Sequence, residues 1–166
     1  MFNSIDEKQK KMRDVIEEIK TCMFTTTDEQ CTVFSRPMFT VKIDNEYRLW
    51  FFVNEQSEKM QDITDGSQVT LVYAHPGKNT YMNVYGTCRL EHDKNKMKEL
   101  WTPAFKSWFP EGIDQPSVCL LQVSIQEAHY WDNSSSDMIC LYKADTSENY
   151  PVEEETEVLS PSGSNW

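Results

Sequence analysis

The connections in the first half of this chain are too short to join anything but neighbouring antiparallel strands. Residues 22–26 (CMFTT), 32–43 (TVFSRPMFTVKI) and 47–53 (YRLWFFV) are rich in β-branched and aromatic side chains, which suit a pleated, half-buried surface. Between them stand Thr27-Asp28-Glu29-Gln30 and Asp44-Asn45-Glu46, both turn-forming. Parallel strands need crossovers of a dozen residues or more, so these runs predict an antiparallel meander. Residues 67–75 and 79–91 repeat the pattern around Pro76-Gly77-Lys78. Further strands are expected at 118–125, near 128–132 and at 138–142.

Helical periodicity is confined to short flanking pieces. Ser4 and Glu7 form a capping-box pattern ahead of a stripe made by Ile5, Met12, Val15, Ile16 and Ile19. Residues 57–65 predict a short helix capped by Ser57 and stopped at Gly66. Met97, Leu100, Trp101, Ala104, Phe105 and Trp108 keep helical spacing across an interruption at Pro103, before a loop at 109–116 with two prolines. Six to eight strands with short helices at the edges give a mainly β fold, a small antiparallel barrel whose closure hides sheet edges. Residues 1–143 are expected to form this one domain.

Charge marks the domain's end. The chain carries 27 acids and 16 bases, a net charge of −11. Six of the acids and none of the bases lie after Lys143, so residues 144–166 are expected to be an acidic, mobile tail. The acidic balance argues against nucleic acid as a partner. No stretch approaches the ~20 apolar residues of a membrane span, and the charged first twenty residues contain no secretory h-region. A cytoplasmic protein without membrane partners is expected. The five cysteines (Cys22, Cys31, Cys88, Cys119, Cys140) are scattered and odd in number, which predicts reduced, buried thiols. No histidine pairs with a cysteine at ligand spacing along the chain, so no metal site is expected.

Five glycines, at 66, 77, 86, 112 and 163, permit neither a Walker A loop nor a GxGxxG fingerprint, and no GxSxG or HExxH occurs. The residues that stand out are Ser35-Arg36-Pro37-Met38 inside a strand. Proline cannot donate to a ladder, so Pro37 marks an edge, a bulge or a place where something else meets the backbone. Alternation places Arg36, Met38, Thr40 and Lys42 on one face, which is either a solvated edge or a binding surface. Phe52-Val53-Asn54 leads into Ser57-Glu58-Lys59, where hydroxyl and ammonium groups at a helix start suit a phosphate, although Ser57 is equally explained as a cap. Tyr81, Asn83 and Tyr85 form a polar-aromatic face on a later strand.

In order, SRPM, LWFF followed by SEK, YMNVYGTCRL, ELW.PAFKSWFP and EAHYWD resemble the pyridoxamine-5′-phosphate-oxidase-like flavoproteins, in particular their general stress protein subgroup. The resemblance runs from about residue 5 to 142. It implies an FMN-binding split β-barrel, a homodimer with the cofactor at the subunit interface. By position it places Arg36 on phosphate or ring-edge oxygens and the backbone of Pro37, Met38 and Phe39 against the isoalloxazine. Phe52 and Val53 would flank the flavin and ribityl chain, and Ser57 and Lys59 would grip the phosphate. Tyr81 would reach the cofactor from the second subunit. Trp101 and Trp108 would line the cleft mouth or pack in the core.

Two departures qualify what is implied. Pyridoxamine-phosphate oxidases hold the substrate phosphate with a C-terminal arginine and histidine motif, and no arginine or histidine follows residue 130 here. Oxidation of pyridoxamine phosphate is therefore not expected. Val53 stands where a small hydroxyl residue is usual. FAD or deazaflavin could replace FMN, whereas haem is disfavoured because His75 is the sole histidine on the implied cofactor strands. The implied function is a flavin-dependent oxidoreductase working with a small-molecule electron donor or acceptor. A flavin-sequestering or stress-response module without turnover is the alternative. No general base is evident, so no catalytic residue is assigned. The aromatic residues Trp50, Phe52, Tyr81, Tyr85, Trp101 and Trp108 exceed what one core readily hides, which also predicts sharing with a second copy.

Overall fold

The computed structural model describes residues 2–61 and 63–144. The expected acidic tail from Asp145 onward lies outside the described residues. Helix α1 (Ile5–Ile19) starts where the capping box places it. The Ser4 hydroxyl accepts from the Glu7 backbone N–H at 3.2 Å, and the Glu7 carboxylate accepts from the Asn3 N–H at 2.7 Å. The box is therefore closed one residue earlier than the usual reciprocal form. Met12, Val15 and Ile16 are its buried stripe, whereas Ile5 is exposed.

Among the described residues eight strands follow the meander, β1 (Thr21–Thr27), β2 (Val33–Phe39), β3 (Lys42–Ile43), β4 (Arg48–Asn54), β5 (Ser67–His75), β6 (Thr80–Glu91), β7 (Val118–Asp132) and β8 (Ser135–Lys143). All strand pairings among the described residues are antiparallel, in the order β2-β1-β5-β6-β7-β4-β3, with β8 also on β7. The two strands expected at 118–125 and near 128–132 are one. One edge of β7 pairs with β6 through nearly its whole length. Its other edge serves β4 up to Ser124 and β8 from Glu127. The sheet thus splits along β7, and a sequence pattern that changes partner midway reads as two strands.

Where β6 crosses β7 the register shifts between Tyr85 and Gly86. A Cβ on Gly86 would stand 2.5 Å from the Ser124 carbonyl oxygen, so the close approach of the two backbones requires glycine.

The first core lies inside the curled sheet and under α1, with Phe24, Phe51, Leu71, Tyr73, Met82 and Tyr130 among its buried members. A second, smaller core lies on the opposite face of β4 and β7. There Trp50, Val118 and Leu120 meet Met97, Leu100, Phe105 and Phe109 from α3 (Lys94–Leu100), the 3₁₀ turn Pro103–Ser107 and the loop beyond it. Strand β4 is covered on both sides, and for this reason its sequence is an unbroken apolar run rather than an alternating one. Trp50 is 4% exposed, hidden within this chain, and Phe52 and Trp101 are partly buried against the same core. Cys22, Cys88 and Cys119 are buried, but Cys31 and Cys140 are exposed, contrary to expectation. Burial pushes the Cys22 and Cys119 thiols up to about 12 and Cys88 to about 11, which keeps them protonated at neutral pH. No helix among the described residues is long and apolar enough to cross a membrane.

Candidate functional site

A cleft of about 370 Å³ opens beside β2, within the size range of small-molecule sites. Its position follows from the sequence of β2. Among the described residues that strand pairs with β1 alone, so it is an edge, the place where Pro37 is tolerated. Arg36, Pro37, Met38 and Phe39 form one wall. The end of β4, through Phe52, Val53 and Asn54, forms the floor. Phe105, Trp108 and Phe109 make an aromatic shelf opposite. Phe39 meets Phe105 edge-on at 6.1 Å and stacks on Trp108 at 6.4 Å between centroids, and Phe52 lies 5.0 Å from Phe105. Trp108 is 62% exposed and stands at the rim. Such a mixture of planar walls suits a flat aromatic ligand.

The electrostatics of the cleft rest on Arg36. Its guanidinium is half-buried, and burial lowers its pKa from the ordinary arginine value. It donates to the Met60 thioether at 3.5 Å and lies 5.9 Å over the Phe24 ring. Among the described residues no carboxylate pairs with it. Partial withdrawal of a cation from water without an opposite charge is costly, and a ligand anion would supply the missing partner. No carboxylate and no imidazole lines the cleft among the described residues. The lining can therefore orient and desolvate a ligand, but it offers no carboxylate or imidazole for moving a proton.

The structure brings together Arg36, Pro37, Met38, Phe39, Phe52, Val53, Ser57 and Trp108 of the residues singled out from sequence. Trp101 stands behind the cleft, edge-on to Phe52 at 5.1 Å, as core packing. Tyr81 is on β6, exposed and paired with Trp131 of β7, and does not line this chain's cleft. Lys59 belongs to α2 (Glu58–Gln61), but its side chain is outside the described set. That helix is one turn rather than the nine residues expected, so a helix dipole contributes little at Ser57. The single face expected for Arg36, Met38, Thr40 and Lys42 also breaks. Thr40 and Val41 separate β2 from β3, Thr40 is buried with its hydroxyl 2.7 Å from that of Tyr73, and Lys42 is exposed.

Sequence reasoning missed Thr21, Asn54, Met60, Phe105 and Phe109 as lining. Asn54 and Met60 adjoin residues that were singled out, and the helical spacing of Phe105 pointed to a core. Thr21 enters only because register sets it opposite Phe39, which a sequence does not display.

Comparison with known proteins matches residues 7–149 to the family described as pyridoxamine 5′-phosphate oxidase like. Protein bli-3 of Neurospora crassa is 23% identical over 136 residues, covering 76% of this chain. The match covers 65% of the length of that curated relative. A Clostridium acetobutylicum protein related to general stress protein 26 superposes with a TM-score of 0.71 at 20% identity, covering 84% of this chain and 96% of its own. The general stress FMN/FAD binding protein of Xanthomonas citri gives 0.67 at 23% identity, with 81% and 94% covered. General stress protein 26 of Bacillus anthracis gives 0.63 at 18%, with 80% and 97% covered. These likenesses show a shared split-barrel fold.

Proposed function

The chain belongs to the pyridoxamine 5′-phosphate oxidase-like family, and from that premise we propose that the cleft beside β2 binds a flavin, FMN in the first instance. The observation that carries the reading is Arg36, a half-buried cation without a carboxylate partner among the described residues, in a cleft otherwise walled by flat rings. FMN offers both a planar ring system and an anionic phosphate. Arg36 would take the phosphate or a ring-edge oxygen, with Ser57 and Lys59 as the further phosphate contacts. Pro37 to Phe39, Phe52 and Val53 would lie along the ring and ribityl chain. The Xanthomonas citri neighbour, an FMN/FAD binding protein, supports the class of cofactor.

A bound flavin would supply electron transfer that the described lining side chains do not perform. The chain is then a flavin-dependent oxidoreductase acting between a small-molecule donor and acceptor, while its residues bind, orient and exclude water. It works as a homodimer, with Tyr81 completing the partner's cleft. Tyr81 and Tyr85 are both exposed, in contrast to the buried Trp50. Flavin fluorescence in a titration of the purified chain tests the reading. FMN should be quenched and saturate, and riboflavin, lacking the phosphate, should bind at least tenfold more weakly. Absence of quenching by either would overturn it.

A further inference from the structure

On the face of the sheet that encloses the first core, three adjacent strands end together. Leu49, Phe51 and Val53 of β4 point into that core, and Glu55 continues their alternation one step past the strand. Cys119 of β7 pairs with Val53 and belongs to the same core. Glu91 pairs with Leu120 at the end of β6, so His92 is the next position on β6's line, opposite Cys119. The register therefore delivers a carboxylate, a thiol and an imidazole to one point from three neighbouring strands. The ligand atoms of Glu55, His92 and Cys119 all lie within 4.8 Å of one another. His92 Nε2 and Glu55 Oε2 are 2.7 Å apart, and the Glu55 backbone N–H is fixed on the Ser117 carbonyl at 2.9 Å.

We infer that Glu55, His92 and Cys119 form a three-ligand site for a zinc ion, with a fourth position open to water. The donor set suits that ion, since zinc accepts imidazole nitrogen, thiolate sulfur and carboxylate oxygen together. Tetrahedral bonding at ~2.0–2.3 Å needs ligand atoms roughly 3.3–3.6 Å apart. Glu55 and His92, with side chains 31% and 60% exposed, would rotate to reach this spacing. Cys119 is fully buried beneath them and supplies a fixed anchor. On binding, the Cys119 thiol gives up its proton to solvent as the Zn–S bond forms. One carboxylate and one thiolate then balance the ion's two charges, so the ion and its three ligands carry no net charge. The site sits one residue beyond Asn54 of the cleft, yet shares no lining residue with it. The inference is thus independent of flavin binding.

The test uses the full chain under reducing conditions, titrated with cobalt(II) alone as a spectroscopic stand-in. One equivalent should produce a thiolate-to-cobalt charge-transfer band in the near ultraviolet, and zinc added afterwards should bleach it. Cys119→Ala should abolish the band, and His92→Ala and Glu55→Gln should each weaken cobalt binding at least tenfold. The two latter side chains are partly exposed and can be changed without disturbing the core, so they decide the matter even if Cys119→Ala fails to fold. Zinc should also raise the melting temperature of the wild type and not of His92→Ala. A wild type that gives no thiolate band, or a band of equal strength in His92→Ala and Glu55→Gln, would mean an ordinary glutamate–histidine pair over a core thiol, and the inference would fall.

Discussion

Asp44 and Arg36 are both drawn at least partly out of water, and the fold treats them differently. Asp44, at the corner between β3 and β4, is 8% exposed. Its carboxylate accepts from the Trp50 indole N–H at 2.9 Å, from the Arg48 guanidinium at 2.8 Å, and from the backbone N–H groups of Glu46 and Arg48 at 2.9 and 3.0 Å. The Asp44 carbonyl in turn accepts from Arg13 of α1 at 2.8 Å. Arg36, in the cleft, has a sulfur at 3.5 Å and the face of a ring. A buried charge whose bonds are all made inside the chain is architecture, because satisfying it offsets its desolvation. Arg36, with no carboxylate partner among the described residues, is the charge proposed above to meet an outside anion. The contrast separates a structural corner from the proposed binding site without reference to any relative.

The largest effect that would sharpen this comparison belongs to the corner. Asp44→Ala leaves the Trp50 indole and two backbone N–H groups without their acceptor, at a cost of about 2–3 kcal/mol. For a domain of this size the melting temperature should fall by roughly 5–12 °C. Flavin affinity measured well below the transition should change less than threefold. A variant that melted like the wild type but lost the flavin would reverse the assignments of the two charges.

Acid should reach the corner as a smaller effect. Burial alone would raise the Asp44 carboxyl, but the hydrogen bonds from Trp50, Arg48 and Glu46 outweigh it and hold the group below the usual carboxylate range. A depressed folded-state pKa contributes stability that is complete above the unfolded value, near 4, and is lost as pH falls through the folded one. Melting temperatures taken between pH 5 and pH 3 should therefore fall more steeply for the wild type than for Asp44→Asn. Parallel slopes would show that the corner does not depend on the ionised carboxylate.

The smallest effect concerns the rim. Trp108 is mostly in water, stacks on Phe39 and closes the aromatic shelf. Trp108→Ala should weaken FMN about two- to tenfold, by removing one stacking surface, while shifting the melting temperature by no more than about 2 °C. A large stability loss would place this indole in the core instead.

The sequence made the meander legible because turn chemistry and short connections are local. The wall of the cleft was legible for the same reason, since Pro37 beside Arg36 violates a strand rule at one position. Whatever depends on register was not. Asp44 reads as a turn residue, and nothing along the chain shows that its carboxylate would meet Trp50. The single strand β7 reads as two because its partner changes at its middle. Glu55, His92 and Cys119 are far apart in sequence and meet only where three strands end. Trp50 and Trp101 read as surplus aromatic surface, but α3 and the 3₁₀ turn fold a second core over them.

The central proposal, that Arg36, without a carboxylate partner among the described residues, takes an anionic group of a flavin, is tested most directly by titrating FMN into the wild type and Arg36→Ala side by side, with melting temperatures of both. A charge-assisted hydrogen bond contributes about 1.5–3 kcal/mol, so the variant should bind FMN roughly ten- to a hundredfold more weakly. Its own melting temperature should be unchanged or slightly raised, because a half-buried cation with no carboxylate partner among the described residues has been removed. Equal FMN affinity in the two proteins, or a variant that unfolds several degrees earlier, would contradict the account and make Arg36 part of the architecture after all.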